Sequence, residues 1–309
     1  MYFPYLRGRQ NELLALNQLS SVLSGTLKVL PIIEPVKAQN YNAFRSLARN
    51  KVPFVLIVNP TVGDLQGASG QAVIENKLIN GSLSGSTSYY LGIIITANTS
   101  LAQIDYFLRT YPDHPKVIIH KAIYSDTIGL LSLLSGYKNI EYQVFIDNRT
   151  STAYQNKFIS YQRILLKDGF VKSASNATYE DSDLFCDIHT TYSSLGFQGF
   201  GDFLTIGDEF KEGGMSPFVV AIHLTYLDGD VYVGHFLSDA TSKSRADTAG
   251  KFSEALSNLI SFVNHNGMAA QTLGIQEFED LHIRGHYPGL GQVKKASMKH
   301  HIEFIMNLI

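Results

Sequence analysis

The sequence predicts an α/β chain built as a (β/α)8 TIM-like barrel with an irregular second half and an antiparallel hairpin insertion. Six short apolar runs lead there, at residues 29–33, 54–58, 91–95, 117–119, 144–146 and 164–166; each stops at a polar residue, and most are followed by a helix-like segment. Continuous apolar runs of this length suit strands buried on both faces of a parallel sheet and joined by crossover helices. Two further β-rich segments, 202–206 and 218–224, supply a seventh and an eighth strand. An open doubly wound sheet with an antiparallel extension would produce similar runs. Pro31, inside the first run, also counts against a closed sheet, because it lacks a ladder donor. Eight candidate strands in a largely βα order put the barrel first.

Along the chain, residues 10–23 place Leu13, Leu14, Leu16, Leu19, Val22 and Leu23 near helical spacing, with Gly25 as a stop. Helices are expected at 41–49, 71–79, 101–111 and 128–137, with a weaker one at 152–160. Asn40 suits the first as an N-cap, and Thr99 or Ser100 suits the third. Residues 169–194, rich in Ser, Asp, Thr and Tyr, lack a helical stripe and read as a long excursion. The eighth strand continues to Leu227, turns at Asp228-Gly229 and returns over 231–236, a strong hairpin signal. A helix at 246–263, a segment at 273–281, a Gly/Pro turn at 285–291 and a short helix from Ser297 complete the reading. One barrel-type domain over 1–309 is expected, with 1–25 as a helical N-terminal cap and 265–309 as a C-terminal extension packed on it.

Composition narrows the class. Apolar residues make up 45% of the 309, enough to bury a sizeable core, and the 17% of charged residues is too low for a disordered chain. A net charge of −2 gives no global footprint for nucleic acid or membranes. The single Cys186 cannot form an intrachain disulfide, no apolar run approaches a membrane span, and Pro4 with Arg7 and Arg9 interrupts any secretory leader; a cytoplasmic location is expected.

Chemical motifs are sparse. The chain carries no phosphate-binding glycine loop, no dinucleotide fingerprint, no His-Glu-x-x-His and no cysteine pair for zinc. In parallel α/β sheets, ligands sit at the carboxyl ends of the strands, where this chain keeps polar residues. The candidate catalytic residues there are Glu34, His120, Asp147, Lys167 and His223, types that suit metal-assisted or acid–base hydrolysis. Glu34 could bind a metal, act as a base or form a buried ion pair with arginine. His120 and Lys121 could supply a proton carrier and a phosphate-binding charge, or point one inward and one to solvent. Asp147, Asn148 and Arg149 resemble a substrate cluster and equally an ordinary strand-to-helix turn. His223 lies in the densest apolar strand, which favours a hydrogen-bonded core histidine. Asn59 joins the set as a substrate-binding candidate. No metal ligand set is assigned and the cofactor is open, a divalent metal being one option.

The ends of the chain add a resemblance. The opening from Met1 to Leu16, followed by Val29-Leu-Pro-Ile-Ile-Glu-Pro-Val36, resembles the start of the beta family proteins, which are similar to a phage beta protein and scattered through bacteria and mobile elements. The Ala221-Ile-His-Leu-Thr-Tyr226 segment, and His286-Tyr-Pro-Gly-Leu-Gly291 through Lys294-Lys-Ala-Ser-Met-Lys-His300, are similar to later segments of one branch. The resemblance implies an accessory or recognition component of a paired anti-phage or mobile-element system, acting with a nuclease-like protein encoded nearby. The alternative is a barrel hydrolase or phosphodiesterase acting on a phosphorylated substrate or nucleic acid. Arg7 near the start, and Arg284, His286, Lys294, Lys295, Lys299, His300 and His301 in the tail, could touch phosphates or an acidic partner, or form a solvated basic face. Convergence of three or more of Glu34, Asn59, His120, Asp147, Lys167 and His223 in one pocket would favour the enzyme.

Overall fold

The computed structural model describes residues 1–213 and 216–309. In chain order the elements are β1 (Tyr5–Leu6), α1 (Gln10–Gln18), α2 (Ser20–Leu23), β2 (Ile32–Ile33), α3 (Tyr41–Arg49), β3 (Val55–Ile57), α4 (Gly67–Val73), β4 (Tyr90–Ile95), α5 (Leu101–Thr110) and β5 (Lys116–His120). They continue through α6 (Thr127–Ser135), β6 (Ile140–Ile146), α7 (Thr152–Gln155), β7 (Arg163–Leu166), β8 (Ser182–Cys186), α8 (Ile188–Thr191) and β9 (Gly199–Gly201). The rest is β10 (Ala221–Asp228), β11 (Asp230–Leu237), α9 (Thr248–His265), α10 (Leu273–Arg284) and α11 (Leu290–Leu308). Two compact units result. Residues 1–13, 20–167 and 188–202 form the first; 14–19, 168–187 and 203–309 form the second.

The first unit is the barrel. Strands β1 to β7 and then β9 pair in that order, all parallel. Tyr2 bridges Val29 on one side and Phe200 on the other, and the Tyr5 amide donates to the Asp202 carbonyl at 2.8 Å, so the first and last strands meet. That closure sets aside the open-sheet alternative. Pro31 is compatible with it because it sits just ahead of β2, where its carbonyl still accepts from the Val55 amide at 2.8 Å. Phe3, Tyr90 and Tyr142 come from non-neighbouring strands, yet their rings lie within 5.1 to 6.2 Å of one another in successive pairs, which places them inside the barrel. Lys116, on the alternate face of β5, lies over the rings of Phe107 and Tyr111 from the α5 side.

Three strand assignments are corrected. The segment expected to be part of a helical cap contains the first barrel strand, and its helix begins only at Gln10. The strand expected at 202–206 is Gly199–Gly201, the eighth of the barrel, while Leu204–Ile206 is a single 3-10 turn. The segment expected as the eighth barrel strand is β10 of a separate three-stranded antiparallel sheet. Glycine explains the second miss. A Cβ at Gly201 would lie 2.0 Å from the Phe3 carbonyl oxygen and 2.5 Å from Leu166 Cδ2, so the closing strand carries glycines where an apolar run would otherwise announce it. Gly201→Ala is therefore expected to destabilise the barrel by about 1–3 kcal/mol, as for other overpacked sites. Chemical denaturation of the variant beside the parent measures this.

Helix expectations fared better. Tyr41–Arg49 coincides with α3, although Asn40 holds its N-terminus in a left-handed conformation with no side-chain cap bond. Ser100 caps α5 through a reciprocal box with Gln103. Between α4 and β4 the chain widens into a π-helix, Ile74–Ser82.

In the second unit, β8, β11 and β10 form the small sheet, and the hairpin turns at Gly229 as the sequence indicates. Its core joins Ile222, Leu224 and Phe236 of the sheet to Phe252 and Leu259 of α9, Ile275 and Phe278 of α10, and Val293 and Ala296 of α11. The last helix starts seven residues before the expected Ser297, and its burial makes the tail part of this core.

Candidate functional site

All eight barrel strands run the same way, so the residues that follow them share one end. Arg7 follows β1, Glu34 follows β2, Asn59 and Thr61 follow β3, His120 closes β5 ahead of Lys121, Asp147 follows β6 and Lys167 follows β7. The strand-end set is thus brought to one end of one sheet, as its position after the apolar runs implies.

Glu34 is the centre of the most connected group there. Its carboxylate is fully buried and receives four donors: the Tyr5 hydroxyl at 2.7 Å and the Arg7 guanidinium on Oε2, the Thr61 amide at 2.6 Å and the Thr61 hydroxyl at 2.9 Å on Oε1. The Lys121 ammonium in turn donates to the Thr61 hydroxyl at 2.9 Å. Burial alone would raise the Glu34 pKa, but the Arg7 charge and the hydrogen bonds from Thr61 and Tyr5 hold it below the ordinary carboxylate value. An ionised carboxylate with two donors on each oxygen is a fixed organiser of cations. It has little capacity left to take a proton, and of the readings open for Glu34 in the sequence the geometry shows the buried ion pair with an arginine, Arg7.

Two candidates leave the reactive set. Asn59 completes the ladder between β3 and β4: its amide donates to the Ile94 carbonyl at 2.9 Å and its oxygen accepts from the Ile94 amide at 2.8 Å. His120 is fully buried and stacked on Phe145, with Tyr154 and Phe158 edge-on. Like Lys116, it points to the helical side of β5, away from the interior occupied by Phe3 and Tyr142. Its Nδ1 lies 2.8 Å from the Tyr154 hydroxyl and its Nε2 lies 2.8 Å from Gln143 Oε1. Because Gln143 Oε1 can only accept, Nε2 carries the proton and Tyr154 donates to Nδ1. Burial pushes the His120 pKa down to about 4, against the pull of Gln143. It is a neutral, fully satisfied imidazole of the packing between strand and helix.

Asp147, Asn148 and Arg149 form the turn that follows β6. The Asp147 amide donates to Leu166 at 2.7 Å, and Asn148 has φ 61°, a left-handed value asparagine tolerates well. Asp147 and Lys167 are half-buried at neighbouring strand ends, whereas Asn148 and Arg149 are exposed. Tyr5 and Thr61 were missed as site residues. The signal for Tyr5 was present: residues 2–6 are also a short apolar run stopped by a polar residue, Arg7.

The second unit holds the remaining candidates. His223 pairs with His235 across the hairpin, the two Nδ1 atoms 2.7 Å apart. Arg284 is exposed and bonded to Asp280 one turn back at 2.7 Å. In the tail, Lys295 and Lys299 are buried and both pair with Glu277, at 2.9 and 2.6 Å. His300 and His301 are buried too, so the tail folds in on itself instead of presenting one basic face. Among the described residues, no group of three or more His, Cys, Asp or Glu is arranged to hold a metal ion, and no helix is long and apolar enough to cross a membrane. Comparison with family models, with curated proteins and with solved structures finds no match to this chain.

Proposed function

We propose that this protein is a recognition component that works through a macromolecular partner, in the setting its end motifs resemble: a paired anti-phage or mobile-element system with a nuclease-like protein encoded nearby. The observation that carries this reading is the state of Glu34. Four donors saturate it, so the buried Glu34–Arg7 pair is a fixed support that holds the half-buried Thr61 and Lys121 in place at the strand ends as a rigid recognition surface and not a titrating one. Such preorganisation favours binding, because little ordering cost remains when a partner arrives. The loop after Lys121 and the first turn of α6 add apolar anchors, with Ile123 50% and Ile128 84% exposed.

A second reading, a barrel hydrolase or phosphodiesterase acting on a phosphorylated substrate or nucleic acid, draws on Asp147 and Lys167, half-buried at adjacent strand ends. Co-expression of the full chain with the neighbouring gene product separates the two. A complex that survives size-exclusion chromatography and is weakened by Ile128→Asp is expected. Failure of two folded proteins to associate, or phosphodiester turnover by the single chain that Asp147→Ala abolishes, would overturn the proposal.

A further inference from the structure

One line of polar groups crosses the small sheet: Asp183 on β8, His235 on β11 and His223 on β10. His235 Nε2 is 3.0 Å from Asp183 Oδ2, and its Nδ1 is 2.7 Å from His223 Nδ1. The carboxylate only accepts, so Nε2 of His235 carries a proton. Burial lowers the pKa of His235 despite the opposing pull of Asp183, and burial, then His235 and Lys294, push that of His223 down to about 3. Both rings are neutral near pH 7. A neutral His235 offers only a lone pair at Nδ1, so His223 donates from its own Nδ1 and keeps a lone pair at Nε2.

Among the described residues no hydrogen bond reaches that Nε2. His223 lines a cavity of about 540 Å³ whose walls come from the second unit alone, and the volume is within the range of small-ligand sites. Thr205, in the 3-10 turn, and Ser297, on α11, line the same space. They are only 4% and 3% exposed, yet neither hydroxyl has a hydrogen-bond partner among the described residues. Buried polar groups are ordinarily paired, so three unpaired ones around one space mark where a bound molecule supplies the partners.

The rest of the lining sets the chemistry of that molecule. Phe170, Tyr179, Ile206, Val220, Leu290 and Val293 make an apolar wall. Phe170 and Tyr179 each meet the His223 ring edge-on at 4.9 Å, so the lone pair opens among aromatic surfaces. Lys172 and Lys294 also border the cavity, but Lys172 is paired with Glu209 at 3.1 Å, and Lys294 is exposed and has an interaction of its own. Neither leaves a charge that calls for an anion.

We propose that this cavity binds a small uncharged molecule of the phenol class, whose hydroxyl donates to Nε2 of His223 while its ring lies against the apolar wall. A hydroxyl on an aromatic ring is the strongest neutral donor for an imidazole lone pair. The Ser297 and Thr205 hydroxyls donate to an acceptor oxygen elsewhere on the molecule. This site belongs to the second unit and does not depend on the partner reading of the barrel.

Calorimetric titration of the full chain with methyl para-hydroxybenzoate, methyl para-toluate and the para-hydroxybenzoate anion tests it. The toluate ester has a methyl group in place of the hydroxyl and is expected to bind at least about tenfold more weakly than the hydroxy ester, the loss of one hydrogen bond to a buried acceptor. The anion is expected to bind more weakly than its own ester. In His223→Phe the two esters are expected to bind alike, and Ser297→Ala is expected to weaken both. Nitrogen-15 spectra of the imidazoles supply a readout that needs no variant: His223 is expected as the Nδ1–H tautomer, its Nε2 resonance moving with the hydroxy ester and not with the toluate. No binding of the hydroxy ester, equal affinity for the two esters in the parent, tighter binding of the anion, a hydroxyl preference that survives His223→Phe, or an Nε2–H tautomer in the free protein would each overturn the assignment.

Discussion

Glu34→Ala is expected to destabilise the barrel by about 3–5 kcal/mol, the cost of removing one partner from a buried ion pair. The reasoning starts from burial. Glu34 is fully buried and Arg7 is 6% exposed, so water cannot replace the lost carboxylate around the guanidinium. Tyr5 and both donors of Thr61 lose their acceptor in the same step. Glu34→Gln is expected to fall between the parent and the alanine variant, since it keeps the shape and one oxygen but loses the charge. Thr61→Val should cost less than either, because the Thr61 amide still donates. Urea unfolding followed by circular dichroism measures the series. A Glu34→Ala protein as stable as the parent would remove the organising role assigned to this carboxylate, and with it the argument for a rigid recognition surface.

The second large effect is a dependence on pH. His120 has its folded pKa lowered to about 4 by burial, so the unfolded chain binds a proton more readily than the folded one. A lowered histidine contributes stability that is fully present above the unfolded value near 6.5 and is lost as pH falls toward the folded value. At pH 5 the loss from this one site is about 2 kcal/mol. Buried Glu12 works in the opposite sense, because burial raises its pKa and the folded chain then holds its proton more tightly as pH falls. The informative quantity is therefore the difference in pH slope between the parent and His120→Asn, measured from pH 7.5 to pH 5. The variant is expected to be less stable at neutral pH and less sensitive to acid. Equal slopes would mean that His120 is protonated inside the folded barrel.

Amino-acid order by itself determined the parallel strands that carry apolar runs, the helices between them, and the gathering of Glu34, Asn59, His120, Asp147 and Lys167 toward one end. Those features follow from local periodicity: a strand buried on both faces has to be apolar throughout, and the polar residue that stops it has to lie at its end. The Asp228-Gly229 hairpin was legible for the same reason, since two adjacent residues encode its turn. Only tertiary structure decided how the sheet closes. Gly199-Phe-Gly201 carries glycines because the Met1 and Phe3 carbonyls leave no room for Cβ atoms there, a constraint imposed by residues nearly two hundred positions away. Side-chain roles were likewise decided across distance. His120 turned from a proton carrier into a packing residue because β5 directs alternate residues to opposite faces and Tyr154 and Gln143 occupy both its nitrogens. His223 is the hydrogen-bonded histidine its apolar strand implies, but its partners, His235 and through it Asp183, are supplied by three strands of one small sheet from residues up to fifty-two positions apart. Chain order fixes which face and which end a residue occupies; which donor meets it there depends on segments that periodicity cannot bring together.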